Sequence, residues 1–394
     1  MNNIVEELVF SAPGKVILHG DHSVVYGKRG VALSLDLRTT LTLTRNEDAV
    51  CLDLPDVDIC ESWPLAAVDR LCRVLHIENN SGQSDECLSK KLSPEKAALI
   101  RSYLGLDATS KCQKIRAILS FFHLYTSVLS RAKGFTVHVS SKIPTGAGLG
   151  SSAAYASCLA ASLLAISGRV PPEYLSANAP LSVRRKALEV VNYLTYASET
   201  IMHGTPSGID NTTCTHGGII SFKNGEMEVL DGNCPLQILL VDTRIPRSTE
   251  TMVKSVRKKY DAIPSVITPM LESMDAIAEE ALEILRQLSD LGNLNECSEK
   301  RISLQANLGE LMRMNHMLLS ALGVSHPSID KIVSLSAEHG LQAKLTGAGG
   351  GGFSIVLLTE ERGREASLCV DALRKSGYAL WRVHLGVQGL VCHT

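Results

Sequence analysis

The sequence predicts an α+β protein with two domains. Three observations point there. The chain has 394 residues, long for a single hydrophobic core. Segments alternating apolar and polar residues, as half-buried strands do, are interspersed with longer segments of helical period. A linker-like break at Asp231–Pro235 divides an expected first domain, 1–231, from a second, 232–394. Composition agrees: 45% of residues are hydrophobic and 20% charged, which supports a sizeable core. With 39 basic and 41 acidic residues the formal charge is −2, so no electrostatic footprint for nucleic acid or an anionic membrane is present.

Taken in order, residues 8–18 (LVFSAPGKVIL) read as strand, turn, strand around Pro13-Gly14. Over 30–44, Val31, Leu33, Leu35 and Leu37, then Leu41 and Leu43, share one face of a strand. The stretch 45–113 gives one clear signal, a helix start at Ser93-Pro94, with Ser as cap and Pro in the first turn. Residues 114–131 place Ile115, Ile118, Leu119, Phe122, Tyr125 and Leu129 on a helical stripe, and Phe135, Val137 and Val139 mark the next strand. A helix of small and apolar residues runs to about Ile166 and stops at Gly168. Another spans 184–202, with Ala187, Val191, Leu194, Ala197 and Ile201 on one stripe. A loop at 205–211 (TPSGIDN) then leads to the strand GGIISF. Leu236–Val241 is a buried strand, 249–338 is mostly helical with interruptions near Pro264, Gly292 and Gly323, and a second glycine run leads into the strand FSIVLL.

Several function classes drop out early. The 11 cysteines are scattered and none forms a Cys-x-x-Cys pair, as in a reducing compartment. His19-x-x-His22 is the nearest approach to metal-ligand spacing and is too sparse for a zinc site. No basic-flanked apolar leader is seen and no apolar run approaches the ~18–20 residues that span a bilayer. A soluble cytoplasmic protein is expected.

Four segments carry chemistry. In PTGAGLGSSAA (144–154), Gly146, Gly148 and Gly150 permit backbone angles that let successive N–H groups curl around phosphate oxygens. Ser151 and Ser152 then open a helix whose N-terminus adds partial positive charge. No Lys follows the glycines, so this is not a Walker loop, and the glycine spacing does not match the dinucleotide fingerprint. In SAPGKVILHGDHSVVYG (11–27), Lys15 is flanked by apolar residues, which suits either a functional cation or a surface lysine laying its stem on apolar neighbours. Asp21 and His22 follow in a turn and suit a hydroxylated or carboxylated substrate, or are ordinary turn residues. In ETIMHGTPSGIDN (199–211), Glu199 lies near a helix end where a carboxylate is disfavoured unless a cation is close, and Asp210 sits at a loop tip, as a functional acid or a turn cap. In KLTGAGGGGF (344–353) the glycines permit close backbone approach to a ligand, or a hinge.

These four segments, in this order, resemble the GHMP small-molecule kinases, and within them the mevalonate-phosphorylating branch. The resemblance runs from about residue 8 to the C-terminus and is weakest across 45–113. It implies a ribosomal-S5-domain-2-like N-terminal domain and a ferredoxin-like C-terminal domain, with a last strand at about 381–391 that returns to the first. It implies ATP and Mg²⁺ as cofactors, mevalonate as the substrate phosphorylated on its C5 hydroxyl, a homodimer, and prenyl diphosphates as feedback inhibitors. By the same resemblance Asp210 is the base or orienting carboxylate, and Lys15 lies between the hydroxyl, Asp210 and the transferred phosphoryl group. Ser152 and Glu199 hold Mg²⁺. Gly146, Ala147, Gly148, Leu149, Gly150, Ser151 and Ser152 cradle the ATP phosphates, Ser141 contacts the nucleotide, and His22 helps bind mevalonate. The chain departs from the family pattern at Asp21, where Glu is usual, and at Asp56, where Asn is common. Another kinase of the family, or a non-catalytic sensor on the same fold, are the competing readings. Phosphoryl transfer needs positioning and charge neutralisation more than covalent help, which fits this set of residues.

Overall fold

The computed structural model describes residues 7–79, 91–107, 112–144, 146, 148–230, 236–291 and 298–393. The expected linker at 231–235 and the phosphate-loop residue Ala147 lie outside the described residues. The chain forms two compact units that interleave in sequence. The first takes the chain up to Gly14, Leu37–His216 and the residues from Gln388 on; the second takes Lys15–Asp36 and Gly217–Val387. Strands and helices occur in both, as an α+β protein requires.

Strand β1 (Glu7–His19) runs unbroken through Pro13-Gly14. The expected turn there is absent: the chain passes from the first unit to the second at Gly14/Lys15 while staying extended. Strand β2 (Gly30–Arg45) likewise contributes to both units.

In the first unit, β2 from Thr39 to Arg45 pairs antiparallel with β5 (Phe135–Ser141). Strand β3 (Ala49–Leu54) lies parallel to β5 and antiparallel to β4 (Ile59–Pro64). Helices α1 (Leu65–Asn79), α2 (Pro94–Tyr103) and α3 (Gln113–Val128) follow β4. Ser93 caps α2 by accepting from Lys96 N at 3.1 Å, with Pro94 at the first position, as the sequence predicts. The core gathers aromatics from α3 and the strands: Trp63 meets Phe122 edge-on at 4.9 Å, and Tyr125 lies 5.6 Å from Phe135. Such pairs add to the area they bury. Helices α4 (Ser151–Ser167), α5 (Leu181–His203) and α6 (Ile209–His216) pack together. Close approach is possible because α4 buries Ala153, Ala154, Ala156 and Ala160, and Ser157 Oγ meets Thr215 Oγ1 at 2.5 Å. The C-terminal segment is strapped down. Strand β12 (Val391–Cys392) pairs with Phe10 and Ser11 of β1, and the Arg38 guanidinium donates to Ser11 O, Gln388 O and Gly389 O.

The second unit holds β6 (Ile219–Lys223), which pairs with β2 over Gly30–Leu33 and with β7 (Glu226–Leu230). Its other strands are β8 (Leu236–Asp242), β9 (Ala343–Leu345), β10 (Phe353–Leu358) and β11 (Ala379–Leu385), in the antiparallel order β11-β8-β10-β9. The helical stretch resolves into α7 (Thr249–Ala262), α8 (Pro264–Leu291), α9 (Ser298–Ala321) and α10 (Pro327–Glu338), and α11 (Gly363–Lys375) follows β10. One core packs α10 and α11 against β8 and β10 through Leu239, Val356, Ile332 and Leu373; another joins α7, α8 and α9 through Val256, Leu271, Met274 and Leu319. Among the described residues no helix is long and apolar enough to cross a membrane.

Candidate active site

In the first unit the site is built at the start of α4. Gly146, Gly148 and Gly150 have φ of 68°, 70° and 78°, the left-handed region that glycine enters without steric cost. Gly150 is the N-cap, so the first free N–H groups of a 17-residue helix open at Ser151 and Ser152. Leu149 is buried and anchors the loop. Cys214 of α6 holds it from behind, its thiol donating to Gly150 O at 3.5 Å.

A cavity of about 460 Å³ adjoins this helix start. It is lined by apolar Leu54, Ile59 and Val139, by polar Asp56, Ser141 and Ser152, and by Gly146. Ser141 is fixed on three sides: its N–H donates to Asp56 Oδ2 (3.0 Å), its Oγ accepts from Ile143 N (3.2 Å), and its Oγ meets Thr39 Oγ1 (2.8 Å). The departure at Asp56 thus does structural work here, orienting the strand end.

Glu199 is buried near the C-terminus of α5, where the helix dipole disfavours a carboxylate. The His203 imidazole lies between it and the phosphate loop, with Nε2 3.2 Å from Ser152 Oγ and 3.7 Å from Glu199 Oε2. Ser152 and Glu199 therefore face the same imidazole. Their hydroxyl and carboxylate are hard oxygen donors of the kind Mg²⁺ takes alongside phosphate oxygens, and the pair fits that ion. No cluster of three or more His, Cys, Asp or Glu suited to a metal occurs among the described residues.

Asp210 is not at a loop tip, as expected, but in the first turn of α6. Pro206-Ser207-Gly208 forms the lead-in, Gly208 taking φ 91°. A carboxylate is favoured at that end of a helix, and the helical position fixes its direction more firmly than a loop would.

In the second unit, Lys15 is 5% exposed on β1, which sets aside the surface-lysine reading. Beyond it, β1 and the turn after it are tied to the second glycine run. Thr346 Oγ1 donates to Ile17 O at 2.8 Å. Lys344 Nζ donates to Asp21 Oδ2 and Gly347 N to Asp21 Oδ1, both at 2.6 Å. His22 Nε2 lies 2.8 Å from Ala348 O. The side chains of Asp21 and Lys344 are wholly buried. Burial pushes the Lys344 ammonium down from its usual value, and Asp21 pulls it back. The run is thus bolted to β1 and its turn, not left as a hinge. Lys344 was not singled out by sequence, although it shares part of the signal that marked Lys15, a lysine flanked by apolar residues.

Two buried histidines flank this ion pair. Burial, then repulsion from Lys344, hold His19 well below its ordinary value. The same causes push His316 down to about 4, with Asp330 opposing them. His316 therefore stays neutral in the fold while an unfolded chain takes up its proton below pH ~6.5. Its contribution to stability is present above that pH and is lost as pH falls from about 6.5 toward 4, on the order of 3 kcal/mol in all. Urea midpoints at pH 7.5 and 5 should differ less for His316→Gln than for the parent chain; an equal acid loss in both would remove His316 as a source.

Comparison with known proteins bears on this geometry. Residues 114–218 match the family described as GHMP kinases N terminal domain, and residues 301–379 match GHMP kinases C terminal. Mevalonate kinase of Bos taurus is 36% identical, over 99% of this chain and 96% of the bovine one. That of Homo sapiens is 35% identical, with the same coverage of each chain. That of Arabidopsis thaliana is 35% identical over 98% of this chain and the full length of the plant protein. In fold, the crystal structure of the Methanococcus jannaschii mevalonate kinase superposes with a TM-score of 0.69 at 24% identity, covering 97% of this chain and 99% of that one. A L. major mevalonate kinase solved in complex with R-mevalonate gives 0.63 at 22%, covering 96% of each. Likeness at this level over nearly the whole length, with both domain matches, is decisive: the chain belongs to the mevalonate kinase family of the GHMP kinases.

Proposed function

We propose that this chain transfers the γ-phosphoryl group of ATP to the C5 hydroxyl of mevalonate. One observation carries the nucleotide half: a cavity of about 460 Å³, of the size that holds a small ligand, whose lining reaches Gly146, Ser151 and Ser152 at the start of α4. The substrate half rests on relatives named mevalonate kinase, of whose length this chain covers 96%.

In this reading the open N–H groups at the start of α4 receive the phosphates, and Ser141 and Asp56 border the nucleoside. Ser152 and Glu199 hold Mg²⁺, with His203 giving up its place beside them. When bound, Mg²⁺ neutralises phosphate charge and orients the terminal group. Asp210 orients the C5 hydroxyl and accepts its proton. Lys15 stabilises the negative charge on the transferred group. The bond from the hydroxyl oxygen to the γ-phosphorus forms as the bond from that phosphorus to the β–γ bridging oxygen breaks, and ADP leaves.

Purified protein with Mg·ATP and one of mevalonate, phosphomevalonate, galactose or homoserine, read by ADP release, tests the assignment. Mevalonate should be preferred over each of the others by at least about 10²-fold in kcat/KM, the scale on which a site lined with polar partners rejects a substrate that leaves them unpaired. A preference for any of the others, or tight ATP binding without turnover, overturns it.

A further inference from the structure

We propose that the C-terminal strap, residues 388–393, sets where Asp210 points: Gly389, Arg38 and Arg184 are positioning residues that hold the C-terminal end of α6 and, through that short helix, the carboxylate at its other end. This rests on the reading of Asp210 as the group that orients the reacting hydroxyl, and it names what fixes that group. Every residue involved belongs to the first unit.

Helix α6 is the first observation. It has eight residues, with Asp210 in its first turn and Thr215 and His216 at its end. Fewer than two turns separate Asp210 from that end. No proline or bulge is present to absorb a push by kinking. Its flanks are held by neighbours: Ser157 of α4 meets Thr215 Oγ1, and Asn192 of α5 donates to Thr212 Oγ1 at 3.3 Å. A helix end presents carbonyls without partners in the helix. The strap supplies one, Leu390 N donating to Thr215 O at 2.9 Å.

Gly389 is the second observation. It is buried, and its φ is not positive, so its torsion does not call for glycine. Space does. An added Cβ would fall against Thr215 O and the main-chain carbonyl of His216, 2.5 Å from the oxygen of the latter. An ordinary contact needs ~3.5 Å, so the strap and the end of α6 would have to part by about 1 Å.

The arginines are the third, and they decide which side gives way. The Arg38 guanidinium donates to Ser11 O, Gln388 O and Gly389 O. Arg184, buried on α5, donates to Leu390 O at 2.6 Å and to Ser176 O at 2.9 Å. Three consecutive strap carbonyls thus each accept from a cation. Neither guanidinium has an ion-pair partner among the described residues. Burial pushes both below their ordinary value, and Arg38 repels Arg184. Cations gathered in this way without a carboxylate are a poor source of stability. Fixing the strap accounts for them, and a clash at Gly389 then falls on α6. The phosphate loop has a separate anchor in buried Leu149, so the displacement reaches Asp210 more than the nucleotide.

A double-mutant cycle tests this, with Gly389→Ala made in wild type and in Asp210→Asn. Turnover is measured with mevalonate and Mg·ATP well below each melting temperature, and binding of a non-hydrolysable ATP analogue by calorimetry. Gly389→Ala should lower kcat by roughly 10- to 100-fold in the wild-type background, the cost of misplacing a reacting group by about 1 Å. In the Asp210→Asn background, where that carboxylate is already gone, it should cost less than about threefold. Analogue affinity should stay within about threefold throughout. Arg184→Met, which frees the strap without a clash, should lose about tenfold in the same pattern, and it carries the cycle if Gly389→Ala fails to fold. A merely structural strap would lower the melting temperature and leave kcat unmoved. That result, an equal loss in both backgrounds, or a loss that follows nucleotide affinity overturns the proposal. Near-full turnover of Asp210→Asn by itself, or a wild type that does not phosphorylate mevalonate, shows instead that the functional reading fails, and this proposal falls with it.

Discussion

Asp210→Asn is expected to leave the fold and Mg·ATP binding intact and to lower turnover by a factor of roughly 10² or more, the scale of a lost acid–base group. The substitution keeps the shape of a side chain in the first turn of α6 and removes its charge and its ability to take a proton. Because the residue is half-buried at a helix N-terminus, the stability change should be small, at most the ~0.3–1 kcal/mol by which the helix dipole favours a carboxylate there. Nucleotide binding, measured by calorimetry with a non-hydrolysable analogue, should match wild type. Near-full turnover would remove Asp210 from the mechanism, and loss of nucleotide binding would move its role to the ground state.

The largest effect on stability is expected at the buried ion pair. Lys344→Met keeps the stem and removes the ammonium, so Asp21 is left wholly buried with Gly347 N as its remaining partner in the clamp. Stranding a buried carboxylate in this way costs about 3–5 kcal/mol, a large fraction of the stability of most domains. Adding Asp21→Asn should restore most of the loss, since the amide oxygen can still accept from Gly347 N and no charge remains unpaired. The urea midpoint of the single variant should therefore fall well below those of wild type and of the double variant. Equal midpoints for the single variant and wild type would mean that solvent or another cation reaches Asp21.

Much of this was legible because it is local. The alternation over 30–44 became β2, the stripe from Ile115 to Tyr125 became α3, and Ser93-Pro94 capped α2. Each depends on period or on the chemistry of one or two residues. The phosphate loop was legible for the same reason, since only glycine takes positive φ without cost at 146, 148 and 150. Where local cues conflicted with longer-range pairing, they lost. Pro13-Gly14 read as a turn, yet β1 stays extended through it and pairs with β12 at Phe10 and Ser11. TPSGIDN read as a loop to its end, yet Ile209–His216 is helical, packed on α4 and α5. Across 45–113 the amphipathic pieces were too short to give a period, although β3, β4 and α1 lie there.

By itself the sequence determined which segments bend, cap and expose amides, because torsional freedom and hydrogen-bonding capacity belong to individual residues. It also determined the family, through four segments in a fixed order. Only the tertiary structure decided that Lys344 and Asp21 form a buried pair, that His203 stands between Ser152 and Glu199, and that the His22 ring lies against Ala348 O. Those are properties of packed neighbours, most of them far apart in the chain, and a side chain's charge is settled by what faces it once water has been excluded.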